Sequence, residues 1–346
     1  QALSSASSLM LQDNFGKMRK LTSFLLVLLL LSGCTSGKPY TMTFFAMDTF
    51  MSFSIYGEDL TEELSRRVYE LEDIMSETRQ GSDVCNINES KGSRYVEVSP
   101  QTVELLLRTI ELCHITDGLF DPTVGALKQL WESSSGIPER DKIETTLSNV
   151  DYNKLLIKGN TVKLESSALL DLGGVAKGYA CDECLDILRE NGVSQALLQL
   201  GGSVIAHGTN IDGKDWKIGI RDPDGSASEY IAVVQVSDTI LTSSGDYERF
   251  KEIDGVRYHH IFDTRTGYPV SNDLRSVTII YPEGITGDVL STAVFAMGLQ
   301  DGLSFLYSSD IEFDAVFITK DMKIVYTQGL KGKIEVTDGR YSLEAA

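Results

Sequence analysis

Histidine is scarce in this chain, at 4 of 346 residues, and tryptophan and proline are close behind at 2 and 7. So little proline leaves no Pro-rich linker, and no long Gly/Ser tract interrupts the body, which favours one compact unit over a string of domains. Basic residues are outnumbered, 31 Lys and Arg against 50 Asp and Glu, for a formal charge of −19. Nucleic-acid binding needs Lys/Arg stripes, and adsorption to anionic lipid needs a basic surface; the composition argues against both. A negatively charged ligand would need local compensation from a metal or a few placed cations. No fixed-period repeat is present. What remains is ordinary globular material, 42% hydrophobic and 23% charged, enough to bury a sizeable core.

The N-terminus reads as an address. Met18-Arg19-Lys20 is a short basic start, and Leu21 to Leu31 is an apolar run of about eleven residues, within signal-peptide range and short of the roughly 20 needed to span a bilayer. Leu31-Ser32-Gly33-Cys34 resembles the lipobox of bacterial lipoproteins, with cleavage before Cys34 and diacylglycerol on its thiol; two or three acyl chains anchor stably without a spanning helix. A plain signal peptide with an incidental cysteine is the alternative. The expected division is residues 1–17 as a gene-start artefact, 18–33 as signal, 34–38 as lipidated tether and 39–346 as the working domain. Lys17, Arg19, Lys20 and Asp13 sum to +2, so their removal takes the charge of −19 to −21. Cys181 and Cys184 form a C-x-x-C in a strongly helical stretch. A local disulfide or redox pair and a pair of small helix residues are both open, and no catalytic role is assigned.

Along the body, Met42–Tyr56 alternates and reads as a strand or strand pair. Leu60, Leu64, Val68, Leu71 and Ile74 recur at helical spacing, Val103–His114 is a second amphipathic helix, and a third carries Trp131. Residues 132–148 read as polar and loop-like. Strands are expected near 154–157, 161–165, 196–200, 216–220, 230–236, 257–262, 275–281, 313–319 and 323–327. Helices are expected over 175–190, ending at Asn191-Gly192, and over 288–297. Strands and helices mix without strict alternation, which favours α+β over a doubly wound parallel sheet.

Five stretches carry chemistry. In Asp171-Leu172-Gly173-Gly174-Val175-Ala176-Lys177 a strand ends at a carboxylate, two glycines follow and a helix begins. Glycines admit close backbone approach, and a helix N-terminus welcomes phosphate. A cation in the first turn opposes the helix dipole, which makes more sense if Lys177 meets an anion. A simple strand–turn–helix fits the same residues, and the pattern is not G-x-G-x-x-G. Leu200-Gly201-Gly202-Ser203 suits a phosphate, a ring edge or a bulge. Tyr258-His259-His260, leading to a tight turn at Thr264–Pro269, holds two of the four histidines, the side chain best suited to proton transfer near neutrality. Asp288 and Thr292 are spaced i, i+4, so a carboxylate and a hydroxyl share a helix face, a pairing that suits Mg²⁺; an N-cap Asp with a back-bonding Thr is the competing reading. Ser243–Tyr247 reads as a small-residue turn that could line a site. Met47-Asp48-Thr49 and Trp131 are candidates for an apolar ring pocket, or else core.

Together these stretches resemble the ApbE family, the FAD:protein FMN transferases. The matching segments are MDT (47–49), FDPTVGAL (120–127), LDLGGVAKGYACD (170–182), LGGS (200–203), SSGDYERF (243–250), HIFDTRTGYP (260–269) and GDVLSTAVFAMG (287–298), in the family's order. The resemblance implies a single α+β domain of the T-fold type with FAD in a cleft between two lobes. It implies FAD contacts from Asp171 and Lys177, and from Met47, Thr78, Trp131, Ser243 and His260, and Mg²⁺ ligands in the Gly174 carbonyl, Asp288 and Thr292. Many relatives carry an aromatic in place of Thr78, and some a Thr in place of Gly174. The implied reaction is attack by a Thr or Ser hydroxyl of an acceptor protein on the FMN phosphorus, with AMP leaving. His260 and Asp288 are the catalytic candidates, His260 for orienting the phosphate or moving a proton. The implied partner is an exported flavoprotein of a membrane electron-transfer system, met at the extracytoplasmic face of the cell membrane. A metal-dependent FAD pyrophosphatase and a non-catalytic flavin- or solute-binding lipoprotein are the other two readings; a solute-binding protein would typically show two doubly wound lobes.

Overall fold

The alternating stretch at the start of the body folds as a hairpin, β1 (Tyr40–Ala46) against β2 (Thr49–Tyr56), with Ala46 opposite Thr49. The two linking residues both have positive φ, Met47 at 47° and Asp48 at 58°. That is a type I′ turn, whose twist matches the flanking strands and which usually takes Asn or Gly. The computed structural model describes residues 37–165, 167–226 and 228–346. The signal segment and Cys34 lie outside the described residues.

After the hairpin come α1 (Thr61–Met75), α2 (Asp83–Ser90), β3 (Val96–Glu97), α3 (Pro100–Ile115), α4 (Gly125–Ser133), α5 (Arg140–Leu147), β4 (Leu155–Lys158), β5 (Thr161–Leu164) and α6 (Ala176–Glu190). The middle of the chain is β6 (Gln195–Leu200), β7 (Ser203–His207), β8 (Trp216–Arg221), β9 (Tyr230–Val236), β10 (Thr239–Gly245), β11 (Phe250–Ile253) and β12 (Val256–His259). The remainder is β13 (Leu274–Tyr281), α7 (Gly284–Met297), α8 (Leu299–Ser308), β14 (Asp314–Thr319), β15 (Lys323–Tyr326), β16 (Ile334–Val336) and β17 (Ser342–Ala345). Residues Pro39–Ala346 form one compact α+β unit.

Nine strands make the main sheet, in the order β1-β2-β6-β7-β10-β13-β14-β15-β17. Every pairing is antiparallel except β15 with β17. Helices cover one face. Leu64, Val68 and Leu71 of α1 and Ala180, Cys184 and Leu188 of α6 pack with Phe53, Leu198 and Ile205 of the sheet. Leu290, Val294 and Phe295 of α7 pack on Val277 and Ile279 of β13. On the opposite face Ala206, Leu241, Ile280 and Val316 meet Ile218, Ile220, Ile231 and Val234 of the small sheet β16-β9-β8. The central strands are therefore covered twice, which is why β13 and β14 read as near-continuous apolar runs. α7 is buried almost all round, so it shows no polar face. Cys181 and Cys184 are free, buried thiols on the core side of α6, which favours the small-residue reading of the C-x-x-C.

Four expectations need correction. Among the described residues no strand leads into Asp171: Leu169 alone pairs there, in a single bridge with Val124. Residues 132–148 are not all loop, because α5 spans Arg140–Leu147. It buries one side chain, Ile143, against Leu127, Trp131 and Phe262, too few apolar positions to show a helical period. Ser243–Tyr247 is not simply a turn, because Ser243 to Gly245 finish the central strand β10; small hydroxyl residues there let α7 lie close. The strand expected over 257–262 ends at His259, so His260 lies just beyond it.

Candidate functional site

Two glycines bring α6 and α7 into backbone contact. A Cβ on Gly178 would overlap the Gly284 carbonyl, and one on Gly284 would overlap that of Gly178. The close approach lets each helix donate its otherwise unpaired first-turn amides to a carboxylate of the other. Gly178 N–H donates to Asp288 Oδ2 at 2.6 Å. Gly284 and Ile285 N–H donate to Asp182 Oδ1 and Oδ2 at 2.5 and 2.9 Å. Residue 178 thus faces 288 while 182 faces 284, so the helices run antiparallel.

Asp288 lies one turn inside α7, whose N-cap is Glu283. Ser291, not Thr292, back-bonds to the Asp288 carbonyl, at 3.0 Å. The capping alternative read from the sequence fails on both counts. Burial pushes the Asp288 carboxyl up to about 6, against the opposing pull of Lys177 and the Gly178 amide. Among the described residues its Oδ1 meets only Ser203 Oγ, at a long 3.3 Å, at the start of β7 just past the Gly201-Gly202 turn. Thr292 follows on the same helix face, its Oγ1 3.3 Å from Ser244 Oγ, which in turn is 2.8 Å from Ser291 Oγ. Carboxylate and hydroxyls from α7, β7 and β10 converge here.

Lys177, in the first turn of α6, reaches only the Gly173 carbonyl among the described residues, at 3.2 Å. Its charge bears on both Asp288 and His260. Burial, with His259 and then Arg249 and Lys177 behind it, holds His260 down at about 4, so its ring is neutral near pH 7. Among the described residues, His260 Nδ1 and Thr242 Oγ1 are buried with no hydrogen-bond partner. Such atoms in a folded protein call for an explanation, and a polar ligand is one. A Cβ on Gly287 would lie 2.8 Å from Thr242 Oγ1, which puts that orphan beside the helix carrying Asp288.

A second group forms around Asp171. Its Oδ1 accepts from Gly173 N–H at 2.8 Å, and its Oδ2 takes Lys128 Nζ at 3.0 Å. Lys128 also holds Glu77 Oε1 at 2.5 Å, and burial followed by Asp171 pushes the Glu77 carboxyl up. Thr78, next in the chain, is exposed, its Oγ1 3.3 Å from Ser76 Oγ. Ser243 Oγ pairs with Thr278 Oγ1 at 2.8 Å. Met47 N–H donates to Glu72 Oε1 at 2.8 Å, and the hairpin it turns abuts the β6–β7 turn, where a Cβ on Gly201 would stand 2.9 Å from Thr49 Cγ2. Gly174 is exposed beside the Phe120 ring.

Trp131 sits apart. Its ring stacks on Tyr258 at 5.5 Å and its Nε1–H donates to the Gly267 carbonyl at 3.0 Å, deep in the small cluster with Leu127, Ile143 and Phe262. It connects to the site through Tyr258, two residues before His260, and through α4, which also carries Lys128. Sequence reasoning did not single out Glu77, Lys128, Asp182, Ser244 or Ser291 as individual site residues. Ser244 and Asp182 lay inside recognised stretches, whereas Lys128, one residue past FDPTVGAL, had no spacing signal.

Among the described residues no three or more His, Cys, Asp or Glu are placed to hold a metal. The donors that converge are one carboxylate and several hydroxyls, hard oxygens that suit Mg²⁺, an ion that keeps waters and takes phosphate oxygens. The comparisons with known proteins agree with the family resemblance. The sequence pattern of the ApbE family matches residues 47–317. The FAD:protein FMN transferase of Treponema pallidum (strain Nichols) is 32% identical over 305 residues, 82% of this chain and 83% of that protein. The FAD:protein FMN transferase of Klebsiella pneumoniae (strain 342) is 30% identical over 319 residues, 89% and 98% of the two chains. The crystal structure of the ApbE protein of Thermotoga maritima MSB8 superimposes with a TM-score of 0.78 at 30% identity, covering 86% of this chain and 99% of that one. With sequence pattern, relatives and architecture in agreement over nearly all of the body, this chain belongs to the ApbE family.

Proposed function

We propose that this protein is a transferase that moves the FMN half of FAD onto a Thr or Ser hydroxyl of a partner protein, releasing AMP. The observation that carries the reading is the buried Asp288 carboxylate, with one oxygen held by the Gly178 amide and the other nearly free, sharing a helix face with Thr292 and the field of Lys177. The FAD diphosphate is to lie at the N-terminus of α6, where amides and Lys177 favour negative charge. Asp288, Thr292 and the Gly174 carbonyl would hold Mg²⁺, which supplies charge neutralisation of the diphosphate when bound. The acceptor oxygen bonds to the FMN phosphorus as the bond to the AMP oxygen breaks, AMP leaving with that oxygen and the hydroxyl proton passing to water; positioning and electrostatics supply most of the rate. His260 Nδ1, buried and without a partner, is our candidate to receive the hydrogen bond of the attacking hydroxyl. A group held near 4 is a weak base, so orientation is its main part.

The test is mass spectrometry of an exported flavoprotein after incubation with FAD, Mg²⁺ and this protein. The expected product is an acceptor carrying one FMN, with AMP formed in equal amount. AMP released as fast without any acceptor would mark a pyrophosphatase, and FAD bound without turnover a passive binder. The lipid-anchored, extracytoplasmic location is part of the proposal and rests on Leu31–Cys34. It predicts labelling by radioactive palmitate that Cys34→Ala abolishes.

A further inference from the structure

We propose that Asp182 is the positioning residue of this site, acting through α7 rather than on any ligand; the inference rests on the metal-dependent reading above. Three features carry it. Asp182 spends both oxygens on the amides that open α7, Gly284 and Ile285. The glycine-on-glycine contact of residues 178 and 284 leaves the two helices no side-chain cushion to absorb a shift. Asp288, one turn further along α7, spends one oxygen on the Gly178 amide and keeps the other nearly free. The helices are thus pinned at two points about one turn apart, with the bare backbone contact between them. If only the Asp288 pin existed, that carboxylate would have to hold the helices together and serve a ligand at once. Asp182 takes over the first task. It fixes the register of α7 against the Gly173–Lys177 stretch, and so the placement of Asp288 and Thr292 relative to Gly174. It reaches neither Asp288 nor Thr292 through a hydrogen bond.

The experiment uses the mature protein with FAD and Mn²⁺, read by the electron paramagnetic resonance of free and bound metal, alongside FAD affinity measured without metal by flavin fluorescence. Leu188→Ala, on the far half of α6 and fully buried, serves as a variant that lowers stability without touching the clamp. In Asp182→Ala the apparent Mn²⁺ affinity is expected to fall about tenfold, the low end of the effect of removing a group that orients a metal ligand, with metal-free FAD affinity within about twofold of wild type. Asp182→Asn keeps one acceptor oxygen; it should fall in between, and it carries the measurement if the alanine variant does not fold. Leu188→Ala should lower the melting temperature and leave Mn²⁺ affinity alone. Folded Asp182 variants that bind Mn²⁺ as wild type does, or a Leu188→Ala protein that loses affinity equally, overturn the inference alone. A wild-type protein that takes up no Mn²⁺ beside FAD overturns the metal reading and this inference with it.

Discussion

Asp288 occupies a place where an ionised carboxylate is poorly solvated, and that burial pushes its pKa up. A residue kept at such a site for its chemistry can be replaced with little structural harm. Asp288→Asn is expected to keep the melting temperature within a few degrees of wild type, and Asp288→Ala to keep the fold, while metal-dependent transfer is abolished; retention of normal flavinylation would sink the proposal. His260 gives a different signature. With its ring neutral across the working range, the rate between pH 6 and 8 should show no limb from His260, and His260→Gln should retain more activity than His260→Ala, both read from the pH profile of kcat. Asp182 makes a stability prediction. Burial holds its folded pKa at about 7, above the ordinary 3.8. The folded chain keeps a proton that the unfolded chain gives up, so this group favours folding at low pH and loses that contribution as pH rises from about 4 through about 7. The stability of wild type relative to Asp182→Asn should therefore decline across that window in denaturant titrations. At this scale the shared helix face of Asp288 and Thr292 was legible, because i, i+4 spacing survives any error in the helix boundary. It could not disclose Asp182 or Lys128, whose partners lie 102 and 43–51 positions away.

The elements most legible in sequence were those with one wet face. α1 and α3 showed their periods, α6 its Asn191-Gly192 stop, and the first hairpin its alternation. Those missed had either too little apolar signal, as α5 with Ile143 alone, or a signal belonging to the far side of the contact, as β10, whose serines make sense only beside α7. Gly284 and Gly287 likewise hid the first turn of α7. The α6–α7 crossing makes a firm prediction: Gly178→Ala forces a methyl into the Gly284 carbonyl and should cost about 3 kcal/mol or more, seen as a lower denaturation midpoint. The Met47-Asp48 turn makes another. Left-handed backbone at a non-glycine residue costs roughly 1 kcal/mol and tends to persist where function requires it. Met47→Asn, the residue a type I′ turn prefers, should stabilise the protein by about 0.5–1 kcal/mol while weakening FAD binding measured by fluorescence. Unchanged FAD affinity would remove Met47 from the site.

For the molecule as a whole, composition alone established an acidic globular body, and the mixed order of strands and helices gave the α+β class. The strand order of the nine-stranded sheet could not be read, because pairings such as β2 with β6 and β7 with β10 join strands far apart in sequence and leave no local signal. The net charge of −19 also sets the kinetics of meeting an anionic substrate. Long-range repulsion is screened by salt, so FAD association should quicken as ionic strength rises from about 20 to 150 mM, until Mg²⁺ or Lys177 dominates at close range; stopped-flow flavin fluorescence reads this directly. The same sheet has two borders, β1 and β17, the first and last strands among the described residues. Truncation after Tyr341 removes β17 and leaves β15 open, with a row of amides and carbonyls facing outward and ready to recruit a neighbour. The shortened protein should self-associate more than the untruncated one, read by size-exclusion chromatography with light scattering.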